Sequence, residues 1–174
     1  EGREKVAIFG DYDVDGAASS ALLGRFFEHF DAPFEIYIPD RIFEGYGPNP
    51  AAMQQLASRA SLIVTVDCGT NSAAAIAAGK AAGADVMVLD HHQVAGALPE
   101  GVALVNPNRE DDLSGLGHLC AAGVVFMVLV DVMRQLRGKT AKPLPDLLGL
   151  LDLVALATVC DVVPLTGLNR AFVV

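Results

Sequence analysis

The stretch VAIFGDYDVDG, residues 6–16, starts with a short apolar run and ends with three aspartates and a glycine. Four apolar residues closed by a glycine are typical of a buried parallel strand. Asp11, Asp13 and Asp15 follow at two-residue spacing, which in extended backbone would point all three side chains to the same side. Because like charges repel, solvent, arginines or cations must offset them. The stretch therefore predicts a strand with a charged site at its end.

The rest of the chain repeats the pattern of an apolar strand followed by a helix. The predicted strands are 5–10, 34–39, 61–67, 84–90 and 101–107, and the predicted helices are 17–30, 51–59 and 71–83. Two long helices, roughly 119–137 and 145–159, follow. The alternation predicts an α/β fold: a mostly parallel β-sheet flanked by helices on both faces, ending in two long helices. A length of 174 residues suits one domain.

Composition narrows the class of protein further. Hydrophobic residues make up 52% of the chain, but no uninterrupted apolar run approaches the roughly 20 residues of a membrane span. Three cysteines without CxxC spacing argue against a disulfide framework or a zinc site, so we expect a reducing, cytoplasmic location. The chain starts at Glu1 without a signal-peptide pattern, and we expect it to be a fragment of a longer protein.

The net charge of −9 argues against a broad basic surface for nucleic acid. However, many of the acids follow predicted strands. Asp67 and Asp90 each end an apolar run, His91 and His92 come directly after Asp90, and Asp161 ends an apolar helix. Since the carboxyl ends of parallel strands meet at one edge of a sheet, these side chains should converge.

Carboxylates and imidazoles together suit manganese or magnesium better than zinc. Two such ions about 3.5–4 Å apart form a recurrent centre for phosphoester cleavage. The residues alone thus predict a metal-dependent phosphohydrolase, in which cations offset the three aspartates of residues 11–15.

Four short motifs carry a resemblance to a known family. DYDVDG, VDCGT, DHH and CDVVPL, in that order, resemble the motifs of the DHH phosphoesterase family. The three-aspartate first motif, together with RIFEGYG, VNPN and LLDLVALATVCDVVPL, is similar to the exonuclease branch of that family. The resemblance covers nearly the whole chain. It implies that residues 1–174 form the DHH catalytic domain, without the C-terminal DHH-associated and oligonucleotide-binding domains.

The resemblance also implies a centre with two manganese ions, with magnesium as the alternative. The implied metal ligands are Asp11, Asp13, Asp15, Asp67, His91 and Asp161. Of these, Asp13 and Asp15 would each bind one ion and Asp67 would bridge the two. The implied catalytic residues are Asp13, Asp15, Asp67, His91, His92 and Asp161. Of these, His92 would contact the scissile phosphate, while Asp90 would orient a histidine without binding metal itself.

The implied activity is 5′-to-3′ hydrolysis of single-stranded DNA in DNA repair and recombination. Single-stranded DNA is thus the expected partner, together with a helicase or a single-strand-binding protein. No association with a membrane is expected. Five residues in polar loops are candidates for contact with phosphate or base: Arg41, Tyr46, Asn106, Asn108 and Arg109.

Several alternatives stay open from the residues. The substrate could instead be a short oligoribonucleotide or a small phosphate ester, or the domain could be a non-catalytic replication scaffold. A pyrophosphatase is disfavoured because Phe9 stands where that branch has a histidine. Asp11 could cap the following helix rather than bind metal. The amides at 121–123 could hold a phosphate or could simply be packed. His29, late in a helix, is expected to be solvated.

Overall fold

A five-stranded parallel sheet forms the centre of the computed structural model, which describes residues 4–101 and 103–174. The strands are β1 Val6–Gly10, β2 Phe34–Tyr37, β3 Leu62–Val66, β4 Asp85–Leu89 and β5 Ala103–Val105. Their order across the sheet is β2-β1-β3-β4-β5, and every neighbouring pair is parallel. In the central register, Ile8 lies opposite Ile36 on one side and Val64 on the other.

Helices cover both faces of this sheet. They are α1 Val14–His29, α2 Pro50–Ala57, α3 Ala73–Ala81, α4 Ala121–Leu136, α5 Leu151–Cys160 and α6 Gly167–Val173. Alternate strand residues point to opposite faces and so form two cores. Val6 and Ile8 pack with α1, α4 and α5, whereas Ala7 and Phe9 pack with α2 and α3. The predicted α/β fold with helices on both faces of a parallel sheet is confirmed.

The structure differs from the predicted elements mainly in the C-terminal part. The helix predicted over 145–159 starts as a 3-10 turn, Leu148–Leu150, and becomes α-helical only at Leu151. Pro145 and the Asp146 side chain, which accepts a hydrogen bond from the Leu148 amide, account for the late start. Helix α6 was not predicted. Residue 102, within the predicted strand 101–107, lies outside the described residues.

The segment between α4 and the 3-10 turn is attached to the end of α1. His29 Nε2 donates to the carbonyl of Pro143 at 2.6 Å, and Lys142 Nζ donates to the carbonyl of His29 at 3.0 Å. The expectation of a merely solvated His29 is therefore wrong, because the histidine has a specific backbone partner.

Two expectations from composition concern the membrane and the cysteines. Within residues 4–101 and 103–174, no helix has the length and apolar character needed to cross a bilayer. Cys68, Cys120 and Cys160 are free, with the first two buried and the third exposed.

The strand order places a crevice between β1 and β3. The chain leaves β1 toward α1 on one face of the sheet, and it leaves β3 toward α3 on the other face. Where neighbouring strands send their connections to opposite faces, a crevice opens beyond their carboxyl ends, and ligands of parallel sheets bind there. The acids that follow β1 and β3 lie at this point.

Candidate metal centre

The three aspartates after β1 do not continue the strand as the spacing suggested. The strand ends at Gly10 and α1 begins at Val14, so Asp15 lies in the first turn of the helix. Asp13 is the helix N-cap, and its Oδ1 accepts a hydrogen bond from the Gly16 amide at 2.9 Å. The extended geometry is thus wrong, and so is the alternative that Asp11 caps the helix.

Glycine is required at position 16 by the tightness of this turn. A Cβ atom there would lie 2.6 Å from the carbonyl oxygen of Asp11 and 2.7 Å from its amide nitrogen. The close approach brings the buried Asp11 back over the start of α1. The motif therefore needs its glycine for packing, in addition to any turn preference.

Asp15 is held by the start of α4. Its Oδ2 accepts from the Ala121 amide at 2.6 Å and its Oδ1 from the Ala122 amide at 2.7 Å. The first amides of a helix lack intrahelical partners and favour negative charge, so a buried carboxylate is well placed there. The alternative that these amides bind a phosphate is wrong, because they already bind Asp15.

His91 lies among carboxylates from three other elements. Its Nε2 is 3.2 Å from Asp67 Oδ1 and 3.8 Å from Asp15 Oδ2, and its Nδ1 is 3.8 Å from Asp161 Oδ2. Asp161 reaches the site as the C-cap of α5. Loops after β1, β3 and β4 and the end of α5 thus converge on one imidazole.

Among residues 4–101 and 103–174, the potential ligand atoms form three overlapping groups. Within a group, all ligand atoms lie within 4.8 Å of one another. The groups are Asp11, Asp13 and Asp67; Asp67, His91 and His92; and Asp15, His91 and Asp161. Asp67 is shared by the first two groups and His91 by the last two. This overlap is the arrangement that two neighbouring ions with a bridging carboxylate would require.

Two carboxylate oxygens in these groups are buried without a satisfied hydrogen bond within the described part of the chain. Asp67 Oδ1 and Asp161 Oδ2 are both buried, and among the described residues neither makes a hydrogen bond of good geometry, although each faces a nitrogen of His91, at 3.2 Å and 3.8 Å. Burying a carboxylate without a partner is costly, and a divalent ion would supply one. Carboxylate and imidazole donors also match the preference of manganese and magnesium, so the residues present fit such ions.

The backbone at the centre is strained at two positions. Asp67 has φ of +60° and Val162, directly after Asp161, has φ of +58°. Residues other than glycine rarely adopt this conformation, and for a β-branched valine it is particularly unfavourable. Both strained residues fix the direction of a carboxylate that faces His91.

Burial and mutual repulsion shift the pKa values of these acids upward. Burial raises the pKa of Asp67 to about 8, with contributions from Asp15 and Asp13 against the opposing effect of His91. Burial also raises the pKa values of Asp11, Asp15 and Asp161. Without cations, these carboxylates therefore keep their protons to higher pH than ordinary carboxylates do.

The histidines respond in the complementary direction. Burial lowers the pKa of His91, but its hydrogen-bonding and charge interactions with Asp67, together with Asp15 and Asp161, outweigh this and raise the pKa to about 9. The Asp90 carboxylate raises the pKa of His92. Burial alone would raise the pKa of Asp90, but hydrogen bonds from His92 and Thr70 hold it below the ordinary value.

Asp90 belongs to none of the three groups and instead bonds the His92 ring and backbone amides of two loops. Its Oδ1 lies 2.7 Å from His92 Nδ1 and accepts from the amides of His91 and His92, while its Oδ2 accepts from the Thr70 amide. On the other side of the ring, His92 Nε2 lies 3.0 Å from the Tyr46 hydroxyl. The structure thus places Asp90 behind His92 and Tyr46 in front of it.

The five candidate substrate-binding residues lie in different surroundings. Tyr46 is 58% exposed beside His92, and the Arg41 guanidinium lies over the Tyr12 ring, 5.2 Å from its centroid. In contrast, Asn106 is buried and Arg109 turns away, donating to the carbonyl of Leu104 and pairing with Asp111.

The outward-facing carbonyl of Leu104 belongs to the edge strand β5, so Arg109 covers a sheet edge. Asn108 donates to the carbonyl of His91. Asn106 and Asn108 thus bond to the loop that carries the histidines, and only Arg41 and Tyr46 present exposed groups beside the centre.

Sequence reasoning missed two residues at this site. Tyr12 packs edge-on against Tyr46, with ring centroids 6.2 Å apart, and Thr70 bonds to both Asp90 and Asn106. Tyr12 lies between two aspartates of the first motif and Thr70 ends VDCGT. Their position within these motifs is the feature of the sequence that could have identified them as site residues. Phe9, in contrast, is fully buried in the core with α2 and α3 and offers no ligand.

The carboxylates and imidazoles gather in the crevice beyond the carboxyl ends of the parallel strands. This arrangement is typical of α/β proteins that bind their ligand at that edge of the sheet, here with a candidate metal centre. Residues 5–158 match the model of the DHH family, N-terminal domain, and the chain belongs to that family. The resemblance noted from the four motifs is confirmed.

Two curated relatives are named single-stranded-DNA-specific exonuclease RecJ. The protein from Bacillus subtilis (strain 168) is 37% identical over 169 residues, covering 97% of this chain and 20% of the relative. The protein from Salmonella typhimurium (strain LT2) is 41% identical over 175 residues, covering 95% of this chain and 30% of the relative. The chain thus spans less than a third of the length of these relatives.

The fold is also similar to that of a solved relative. A crystal structure of exonuclease RecJ bound to manganese superposes with a TM-score of 0.85 at 34% sequence identity. The match covers 98% of this chain and 42% of that one. The similarity therefore extends over the whole parallel sheet and the loops that carry the acids.

Proposed function

We propose that this chain is the catalytic domain of a metal-dependent exonuclease that hydrolyses single-stranded DNA in the 5′-to-3′ direction in DNA repair and recombination. The observation that carries the proposal is the overlap of the three ligand groups through Asp67 and His91. The names of the relatives support the substrate, and the manganese-bound structure supports the choice of ion.

In this proposal the ligands divide between two manganese ions, with magnesium as the alternative. Asp11, Asp13 and Asp67 would hold one ion, and Asp67, Asp15, His91 and Asp161 would hold the other. When bound, two such ions neutralise charge on the phosphate and activate a water molecule. Asp67 would serve both ions, because its carboxylate belongs to two of the three ligand groups.

The chain's own residues would orient the DNA. His92 is held from behind by Asp90, and its Nε2 lies 3.0 Å from the Tyr46 hydroxyl on the exposed side of the ring; as an imidazolium it would donate from Nε2 to a phosphate oxygen that takes the place of this hydroxyl. Tyr46 and Tyr12 offer ring faces beside it, on which unpaired bases can stack. Arg41 adds a positive charge next to Tyr12. Bases of a duplex are stacked on each other, so such contacts favour a single strand.

The proposal also covers the longer protein that contains this domain, its compartment in the cell and its protein partners. We place the domain over residues 1–174, within a longer protein, since the relatives are more than three times as long. Three free cysteines fit a reducing cytoplasm. Because the enzyme needs a separated strand, a helicase or a single-strand-binding protein is the expected class of protein partner.

The first test is calorimetric titration of manganese into the chain. About two ions should bind per chain, and Asp67→Asn should lose at least one of them while keeping its fold by circular dichroism. Asp85→Asn, an exposed aspartate at the amino end of β4, is the matched control and should bind like the unmodified chain. Absence of manganese binding would contradict the proposed centre and would favour a non-catalytic scaffold.

The second test compares substrates under the same manganese concentration. We expect hydrolysis of 5′-phosphorylated single-stranded DNA, little hydrolysis of the same sequence as a duplex, and a loss of about 100-fold or more in Asp67→Asn. Faster hydrolysis of a short oligoribonucleotide or a small phosphate ester would favour the other DHH-type activity. Manganese binding without hydrolysis of any substrate would contradict catalysis by this chain.

A further inference from the structure

Asn106 lies where three strand-end loops meet. It follows β5, it is 2% exposed, and its side-chain Nδ2 donates to two acceptors, Thr70 Oγ1 at 2.9 Å and the His92 carbonyl at 2.9 Å. Its Oδ1 accepts from the Asn108 amide at 2.8 Å. An asparagine side chain has two donor hydrogens, and both are used inside the protein. Asn106 thus links the loops after β3, β4 and β5.

These bonds close a ring that contains the histidine next to the candidate ligands. Asn106 donates to Thr70 Oγ1, the Thr70 amide donates to Asp90 Oδ2, and Asp90 Oδ1 bonds His92 Nδ1. The carbonyl of His92 then accepts from Asn106. Thr70 is 1% exposed and Asp90 is also buried. A buried network in which each member has its partners is rigid, because any rotation leaves a polar group unpaired.

We propose that Asn106 is a positioning residue that sets the orientation of the His92 ring, through Thr70 and Asp90 and through its bond to the His92 carbonyl. Its amide does not contact the substrate, contrary to the expectation from its place in a polar loop. This inference rests on the proposed function only where hydrolysis is measured, since the ring orientation can be observed directly.

The orientation of the His92 ring can be monitored by nuclear magnetic resonance of the metal-free chain, through the signal of the His92 Nδ1–H proton. A proton bonded to a buried carboxylate exchanges slowly and is observable, and His92→Asn assigns it by removing it. We expect Asn106→Ala and Thr70→Val to shift or broaden this signal. Thr70→Ser, which keeps the hydroxyl acceptor, should leave it in place.

Asn71→Ala is the matched control. Asn71 also holds the loop after β4, donating to the Gln93 carbonyl and accepting from the Ala95 amide, but it does not bond to His91 or His92. We expect an unchanged His92 signal in this variant. If Asn106→Ala proves unfolded by circular dichroism, Thr70→Val carries the test, because valine matches threonine in shape. An unchanged signal in a folded Thr70→Val variant would overturn the proposal.

Kinetics on single-stranded DNA give the second readout. Loss of a residue that supports a site from behind typically costs about 10–100-fold in activity, and we expect this loss in kcat for Asn106→Ala and Thr70→Val. KM for DNA should change by less than about twofold, because no substrate contact is removed. A raised KM with unchanged kcat would overturn the proposal in favour of direct DNA binding by Asn106. If the unmodified chain hydrolyses no substrate, the proposed function fails, but the resonance experiment still decides the role of Asn106.

Discussion

Asp67 Oδ1 lies 3.2 Å from Nε2 of His91, and the two residues follow the neighbouring strands β3 and β4. The pKa of each group is raised, that of Asp67 to about 8 and that of His91 to about 9. Because a charged His91 lowers the pKa of Asp67 and a charged Asp67 raises that of His91, the two groups titrate as a pair, which without a cation retains its protons to higher pH than separate groups would. A divalent ion must displace these protons, so metal binding and pH are linked at this pair.

The first prediction concerns stability against pH. Without metal, the folded state binds protons more tightly than the unfolded state at Asp67, between its unfolded pKa of about 4 and about 8. At His91 the same holds between about 6.5 and about 9. The two groups titrate as a coupled pair, so these contributions are not additive, but both are present at low pH and are lost as the pH rises. We expect the Tm of the metal-free chain to fall between pH 6.5 and pH 9, measured by circular dichroism because the chain has no tryptophan.

Manganese should reverse this trend. The ion replaces the displaced protons, so the rise in Tm on adding manganese should be larger at pH 8.5 than at pH 6.5. At 100 times Kd, the expected stabilisation is about 2.7 kcal/mol. Asp67→Asn should abolish most of the pH dependence of the manganese effect. An equal rise at both pH values would show that no proton is released at this pair.

The second prediction separates two aspartates of the first motif. Asp13 caps α1, and asparagine is an equally good cap, so Asp13→Asn should leave the free energy of unfolding nearly unchanged. Asp15 accepts from two amides of α4, and an asparagine would turn its NH₂ toward one of them. We expect Asp15→Asn to cost about 1–3 kcal/mol in urea unfolding at pH 8 with a chelator present.

Both variants should weaken manganese binding, because each loses a carboxylate of a ligand group. The chelator removes that contribution from the unfolding experiment. Equal stability of Asp15→Asn and Asp13→Asn would mean that the contact between Asp15 and the start of α4 contributes nothing to the fold.

Much of the site could be predicted from sequence because the carboxyl ends of parallel strands must meet. The short apolar runs before Asp11, Asp67 and Asp90 indicated the strands, and the acids followed directly. The helical start at Val14 was missed because the aspartate spacing was interpreted as extended, although Asp13 as N-cap with the acid Asp15 in the first turn is also typical of a helix N-terminus.

Contacts between distant segments could not be predicted in this way. The bonds from Ala121 and Ala122 to Asp15 span more than 100 residues, and nothing in the local pattern of either segment specifies them. Likewise, a polar loop residue such as Asn106 is indistinguishable from a solvent-exposed one until the loops are assembled. Burial, which turned this residue from a candidate DNA contact into a structural one, is a property of the folded chain.

The third prediction concerns Tyr46. Tyr46→Phe removes the hydroxyl near His92 Nε2 but keeps the ring that packs against Tyr12. Stacking of a base on an aromatic ring is worth about 1–3 kcal/mol, so Tyr46→Ala should raise KM for single-stranded DNA by about fivefold or more. Tyr46→Phe should change KM by less than about twofold if stacking is the main contribution. A similar rise in both variants would assign the effect to the hydroxyl group instead.

The fourth prediction contrasts Arg109 and Arg41, which were both candidates for DNA binding because each lies in a polar loop. Arg109 donates to the carbonyl of Leu104 at the exposed edge of β5 and pairs with Asp111, so its charge is already engaged away from the centre. Arg109→Ala should therefore lower the free energy of unfolding by about 1–2 kcal/mol while KM for DNA stays the same.

Arg41→Ala should behave in the opposite way. The Arg41 guanidinium lies over Tyr12 on the exposed side of the centre, where a cation–π contact contributes only about 0.5–1 kcal/mol. We expect little change in urea unfolding but a KM for single-stranded DNA that rises, most strongly at low salt, because a phosphate contact is lost. A raised KM in Arg109→Ala at unchanged stability would place DNA along the β5 edge, and the path of the strand would then run from Tyr46 across the loop that carries Asn106.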